Sequence, residues 1–297
     1  MTDGSFILYW FQWSAIVLYL GVTSGVLYWA YRKPRIRRTR TVGVVTAVAL
    51  LGLLPGNYVL RAMEQTRSRT EFEKYREAAW AHFKKRCDTR AGELINRTVK
   101  DVDGVLLLRP RKAATEGNLR DQYWMGDPYG HDSMRPDSEI RNYLRYLNEN
   151  DVPVIRPTSH PGYRYVETAS PQGVFMRFEL SKDGKRIVGH PIDKASSKYA
   201  VTWEDISTQE DRQFWVAGGR LQVIVPDTGE ILGERVGYLI EPQFGSQRGG
   251  RRPWLHARLT ASEFAACPPF RAKSLLPINR LFVEKVLKPA QRNADGK

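Results

Sequence analysis

The chain has 297 residues, enough for one or two domains with a buried core. Its formal net charge of +14 suggests an anionic partner, yet the excess is dispersed: residues 1–63 hold seven Lys or Arg against one acid, and beyond them 39 bases are interleaved with 31 acids. No basic arm results, which argues against a nucleic-acid binder and for a solvated surface.

Phe6 to Tyr31 is an uncharged run of 26 residues. As a helix it would measure ~39 Å, more than the ~30 Å hydrocarbon layer of a bilayer. Tyr9, Trp10, Phe11 and Trp13 crowd one end and Tyr28, Trp29 and Tyr31 the other, the placing of aromatic rings at two headgroup layers. A second uncharged run of 20 residues, Thr41 to Leu60, is just long enough to span, and Pro55-Gly56 predicts a kink or an end in its last third. "MTDGS" lacks the basic start of a cleaved signal peptide, so the first run reads as an uncleaved anchor. Gly21 with Gly25 and Gly43 with Ala47 offer small-residue spacing for close helix approach in a hairpin. The link between the runs, residues 32–40, carries six Lys or Arg and no acid. The positive-inside rule keeps it in the cytoplasm and puts everything after Leu60 on the far side. The expected organisation is a transmembrane hairpin over 1–63, with spans at 6–31 and 41–60, and a periplasmic domain over 64–297.

Residues 64–90 have Phe72, Tyr75, Ala79 and Phe83 at helical spacing, which predicts an amphipathic helix. "VDGVLLLRPR" (102–111) reads as a strand. Residues 112–137 lose periodicity and gather Gly, Pro, Asp and Asn, as a long loop does. "SEIRNYLRYLNEN", with Ile140, Tyr143, Leu144 and Leu147 on one face, predicts a short helix capped by Ser138. Strands are expected over 163–169, 173–180, 198–206 and 219–240. In the last, Leu221, Val223 and Val225 alternate before "PDTGE" returns the chain as a β-hairpin. "STQED" pairs Ser207 with Glu210 in the capping-box pattern. "GSQRGGRRP" (245–253) reads as a flexible loop, and Leu276, Leu281, Phe282, Val286 and Leu287 as a closing helix. The fold class is α+β: one mostly antiparallel sheet flanked by helices.

Cys87 and Cys267 are the only cysteines, and an oxidising compartment would allow them to pair; two buried thiols are the alternative. The five histidines stand apart, with no H-E-x-x-H and no paired Cys spacing, so neither metal nor cofactor is expected. In "GDPYGHDS", Asp127, His131 and Asp132 have the chemistry to converge on a cation or to act as a general acid and base, but their composition is better read as that of an exposed turn. Glu204, Asp205, Glu210 and Asp211 offer a carboxylate pair, which a helix cap and Arg212 explain without catalysis. Ser246 lacks the context of a nucleophile elbow. Arg248, Arg251 and Arg252 form a candidate anion-binding loop for lipid headgroups or a partner's acidic patch, with solvated charge as the alternative.

"WEDISTQEDRQFWVAGGRLQVIVPDTGEILGERVGY", "GGRRPW", "ACPPF", "FVEKVLKP", "AGELINRTVKDVDGVLLLRPR" and "DPYGHD" together resemble a group of uncharacterised proteobacterial membrane-anchored proteins. The resemblance covers much of the chain after residue 87 and implies a Gram-negative inner membrane with a periplasmic domain. It brings no activity and no functional residue. The expected function is a non-catalytic binding or accessory protein of the envelope, such as a complex component or an immunity protein, with the membrane and an envelope protein as partners. The alternatives are a membrane-tethered hydrolase of lipid or cell-wall material and a sensor subunit working through a membrane partner.

Overall fold

The structure is a computed structural model that describes residues 37–130, 137–144, 162–169, 173–182, 184, 186–259, 265–268 and 278–290, with isolated positions between 21 and 28; over 37–59 only the backbone is described. The chain divides into two units, Met1–Lys74 and Tyr75–Lys297.

Most of the first unit's described part belongs to helix α1, Arg37–Arg90, which continues through Pro55 and Gly56 where the sequence predicts a kink or an end. From Leu60 to Lys74 the helix is exposed, with Thr66 and Thr70 hydroxyls donating to carbonyls one turn back and Arg67 paired to Glu71 at 3.0 Å. Phe72 is half-exposed. Among the described residues no helix is long and apolar enough to cross a membrane. Apart from the isolated positions between 21 and 28, the run 6–31 lies outside the described residues, as do the side chains of 41–59.

The second unit is α+β. Its nine-stranded sheet has the order β1 (Gly92–Ile95), β9 (Ile231–Ile240), β8 (Val216–Ile224), β7 (Ala200–Asp205), β3 (Gly104–Leu107), β4 (Tyr165–Ala169), β5 (Phe175–Leu180) and β6 (Ile187–Ile192), with β10 (Ala266–Cys267) also on β9. Pairing is antiparallel except around β3, which runs parallel to both β4 and β7. That explains its sequence: a strand covered on both faces needs no alternation, and "GVLL" is buried throughout. β2 (Val99–Val102) leaves this sheet to pair with β11 (Leu287–Pro289).

Among the described residues the expected hairpin is the longest strand pairing. β8 and β9 join through residues 225–230, where Gly229 takes φ +72° and Val225 accepts the amides of Thr228 and Gly229. β6 was not expected as a strand. It holds Gly189 and Pro191, which weaken a strand signal and are tolerated on an edge, where an absent N–H costs no ladder bond.

Helices cover both faces. The last turns of α1 present Ala79, Phe83 and Cys87 at a spacing of four, one stripe of a helix, against Val216, Tyr238 and Ile240. On the other face α2 (Ser138–Leu144) and α5 (Ile278–Val286) deliver Tyr143, Leu144, Phe282, Val283 and Val286 to a core shared with Val105, Leu107, Val166, Leu221 and Val223. α5 is the expected closing helix. The short helix α3 (Gln209–Gln213) has its capping box one residue later than the sequence suggests. Thr208, not Ser207, is the cap, and Asp211 returns the bond, because Asp211 is also held by His82 at 2.6 Å and Arg86 at 2.7 Å. Ser207 instead accepts the Gly218 amide at 2.8 Å.

Candidate functional site

A dense polar arrangement lies under the turn Asp127–Gly130, inside the long loop that the sequence leaves without periodicity. The turn is seated on the sheet. Asp205, Gly219 and Gly237 are cross-strand partners in one row over β7, β8 and β9. A Cβ on Gly219 would lie 2.3 Å from Asp127 Oδ1, and one on Gly237 would lie 2.0 Å from the Tyr129 ring. The two glycines thus form a bare floor that admits the Asp127 carboxyl and the Tyr129 ring against the backbone.

Asp127 is 1% exposed and sits at φ +55°, a left-handed conformation that Asp adopts more readily than most residues. Oδ1 accepts the Gly130 amide at 2.9 Å, and Oδ2 accepts Arg111 Nη2 at 2.5 Å. Its own amide donates to Asp205 Oδ2 at 2.9 Å, and the same oxygen accepts Arg212 Nη2 at 2.5 Å. Arg111 is shared, since its Nη1 and its backbone amide both donate to Glu139 on α2. Burial pushes the Asp127 carboxyl up to about 7; Arg111 and the Gly130 amide oppose that rise and the neighbouring Asp205 adds to it.

Around this centre the arginines are braced by aromatic faces. The Trp203 ring on β7 lies 4.2 and 4.6 Å from the guanidinium carbons of Arg109 and Arg111, and its Nε1 donates to the Arg109 carbonyl. Arg212, from α3, is buried with its guanidinium carbon 5.1 Å from the Trp254 ring, and burial lowers its pKa. Behind the turn, Arg235 on β9 donates to the Tyr129 hydroxyl at 2.9 Å and pairs with Glu93 on β1. Arg258, from α4 (Pro253–Leu259), donates to the Tyr129 carbonyl and Asn279, from α5, to that of Gly130. Among the described residues, the Arg111 segment, β7, β8, β9, α4 and α5 therefore converge on four residues of turn.

Of the residues singled out from sequence, Asp127 stands at the centre of this network, while His131 and Asp132 lie outside the described residues. Asp205 and Asp211 are not a pair. Asp205 belongs to the network, whereas Asp211 anchors α3 to α1; burial opposes its charge, but bonds from the Thr208 amide, His82 and Arg86 hold its pKa below the usual carboxylate value. Glu204 bonds Arg220 at the surface.

The three arginines of the 245–253 loop also part company. Arg251 is buried and donates to Glu241 at 2.5 Å, and Glu241 also accepts the amides of Gln243 and Gly245. Arg252 pairs with Glu116 at 2.8 Å, and Arg248 is exposed in a 3-10 turn, Arg248–Gly250. Cys87 and Cys267 form a disulfide, with Cα atoms 5.7 Å apart, that ties α1 to β10. Among the described residues no group of three His, Cys, Asp or Glu is placed to hold a metal ion.

Sequence reading named Arg212 as a partner of the nearby acids, and it is paired with Asp205, but it missed Arg111, Arg235 and the Gly219–Gly237 floor. Only "AGG" before an alternating strand hinted at the floor, since glycine inside a strand marks a close approach. No protein-family model, no curated protein and no solved structure matches this chain.

Proposed function

We propose that the chain is a two-span inner-membrane protein whose α+β domain lies in the periplasm and works there as a non-catalytic binding or accessory component of the envelope. Two uncharged runs flanking a link of six basic residues support the anchor and its orientation. The observation that carries the compartment is the Cys87–Cys267 disulfide, because such bonds persist in oxidising surroundings and are rare in the cytosol. A binding role draws support from Asp127, the described member of the candidate acid-base group. Both its carboxyl oxygens are engaged inside the protein, by Arg111 and by the Gly130 amide, so the carboxylate is spent on architecture rather than presented to a substrate.

The test is protease digestion of a C-terminal tag in intact spheroplasts, with a cytoplasmic protein as lysis control, followed by crosslinking and capture from detergent-solubilised membranes. Digestion before lysis and a reproducible envelope partner are expected. Protection of the tag until lysis would overturn the orientation, and capture that repeatedly yields no specific partner would overturn the binding role.

A further inference from the structure

The two edges of the nine-stranded sheet are finished differently. At the β6 edge the Ser181 amide donates to the Arg186 carbonyl at 2.8 Å, so alternation along the antiparallel ladder turns the backbone groups of Ile187, Gly189 and Pro191 outward. Pro191 has no N–H to offer there, and Lys182, Arg186 and Lys194 stand exposed in the segments flanking the strand, features that guard an edge against pairing. β1, "GELI", has no proline and no lysine. Beyond it the Asn96 amide donates to the Leu232 carbonyl at 2.9 Å. The N–H and C=O of Gly92 and Leu94 therefore turn to β9, and those of Glu93 and Ile95 turn outward. The one charge of the strand is occupied, since Glu93 gives its carboxylate to Arg235 and Lys285. Leu94 is 60% and Ile95 39% exposed.

The outward run is short and symmetric. On one side the Ala91 amide goes to the Cys87 carbonyl at the end of α1, and on the other the amides of Asn96 and Arg97 both go to Leu232. Glu93 to Ile95 is left, with Leu94 at its centre. A second β1 running antiparallel about a two-fold axis through Leu94 sets Glu93 of each copy opposite Ile95 of the other, and each such pair exchanges both backbone bonds. Every outward group of the run is then used and no engaged one is needed. An axis at Glu93 would set two carboxylates directly opposite and call on the Ala91 amide, and an axis at Ile95 would call on the Arg97 amide. The strand complements itself in one register.

We propose that β1 is a dimerisation edge, through which two copies of this chain join their sheets by antiparallel β1 strands with the two Leu94 side chains in contact on the axis. The backbone bonds fix the register, and the exposed Leu94 pair supplies the apolar contact. This goes beyond the binding role in the envelope and does not depend on it.

Thiol crosslinking of the full chain in membranes tests it, because Cys87 and Cys267 are bonded to each other and an introduced cysteine is the one free thiol. At the axis the two Leu94 form a non-hydrogen-bonded pair with Cα atoms ~4.5 Å apart, within disulfide reach, whereas the two Ile95 lie on a diagonal of roughly 7–8 Å, beyond it. Under a mild oxidant Leu94→Cys should form a covalent dimer about tenfold faster than Ile95→Cys. Light scattering of the purified chain in detergent should give twice the chain mass. Ile95→Pro removes an outward N–H and leaves the bonds to β9 in place, so it should shift the mass to that of a monomer while the melting temperature holds. A monomeric mass for the unaltered chain would overturn the proposal, as would Leu94→Cys that crosslinks no faster than Ile95→Cys, or a dimer that persists in Ile95→Pro. A crosslink from Leu94→Cys to a different protein would put a foreign strand on this edge and overturn it as well. The crosslinking comparison decides the matter even where Ile95→Pro does not fold.

Discussion

Gly219 and Gly237 face each other across β8 and β9, and the space left by their missing side chains is filled by Asp127 and Tyr129. A Cβ at either position would overlap atoms of a turn that is itself bonded from several sides, so the overlap has no cheap relief. Gly237→Ala should cost about 3 kcal/mol, the upper range for overpacking a filled site, and Gly219→Ala somewhat less because a carboxyl oxygen can shift more easily than a ring. Urea unfolding of each variant measures it. A Gly237→Ala midpoint equal to that of the unaltered protein would mean that the turn is not seated as described.

The Cys87–Cys267 bond closes a loop with a sequence separation of 180 and joins the end of α1 to β10. On the chain-entropy model a loop of that size stabilises by at most about 5 kcal/mol. Cys87→Ser with Cys267→Ser should lower the melting temperature by roughly 10 °C or more, and a reductant should do the same to the unaltered protein. Melting curves with and without reductant check this. Coincident curves, together with thiols that label without reduction after denaturation, would refute the bond.

How much of this could be read beforehand depends on whether the signal was local. The β8–β9 hairpin was legible because Leu221 and Val223 alternate just before "PDTGE", all within a few residues. α5 was legible from the spacing of Phe282 and Val286. The floor was not, because Gly219 and Gly237 become partners only through the register of the folded hairpin. Asp127 was visible as a residue type, but its neighbours Gly126, Pro128 and Gly130 spell an exposed turn. Its burial depends on Arg111, Asp205 and Arg212, which come from three other segments. The cap of α3 was ambiguous by one position, since Ser207 with Glu210 and Thr208 with Asp211 both fit the pattern, and only the bonds from α1 separate them.

Asp211 should make the domain sensitive to acid. Its carboxylate is fully buried, bonded to His82, Arg86 and Thr208, and its pKa is held below the ordinary 3.8. A carboxyl whose folded pKa is depressed contributes stability above its unfolded value and loses it as pH falls through the folded one. Stability should therefore decline below about pH 4. Asp211→Ala, which leaves Arg86 without this partner, should cost about 3 kcal/mol at pH 6 and flatten part of the acid decline. Urea midpoints at pH 6 and pH 3 measure both. An Asp211→Ala protein that loses as much stability between these pH values as the unaltered one would remove Asp211 from the acid response.

The arginines of the 245–253 loop should behave differently from one another, although the sequence presents them alike. Arg251 neutralises the buried Glu241, whose oxygens also gather the Gln243 and Gly245 amides into the loop. Removing Arg251 strands a carboxylate, and Arg251→Ala should cost about 3 kcal/mol and raise amide exchange over 243–251. Arg248 is exposed, and Arg248→Ala should stay within about 0.5 kcal/mol. Glu241→Gln with Arg251→Met, which removes both charges together, should recover a large part of the loss, because the penalty in the single variant is the unpaired buried charge and not the missing attraction. Thermal melts and exchange of the three proteins decide it. Equal effects of Arg248→Ala and Arg251→Ala would show that the loop is not organised around Glu241.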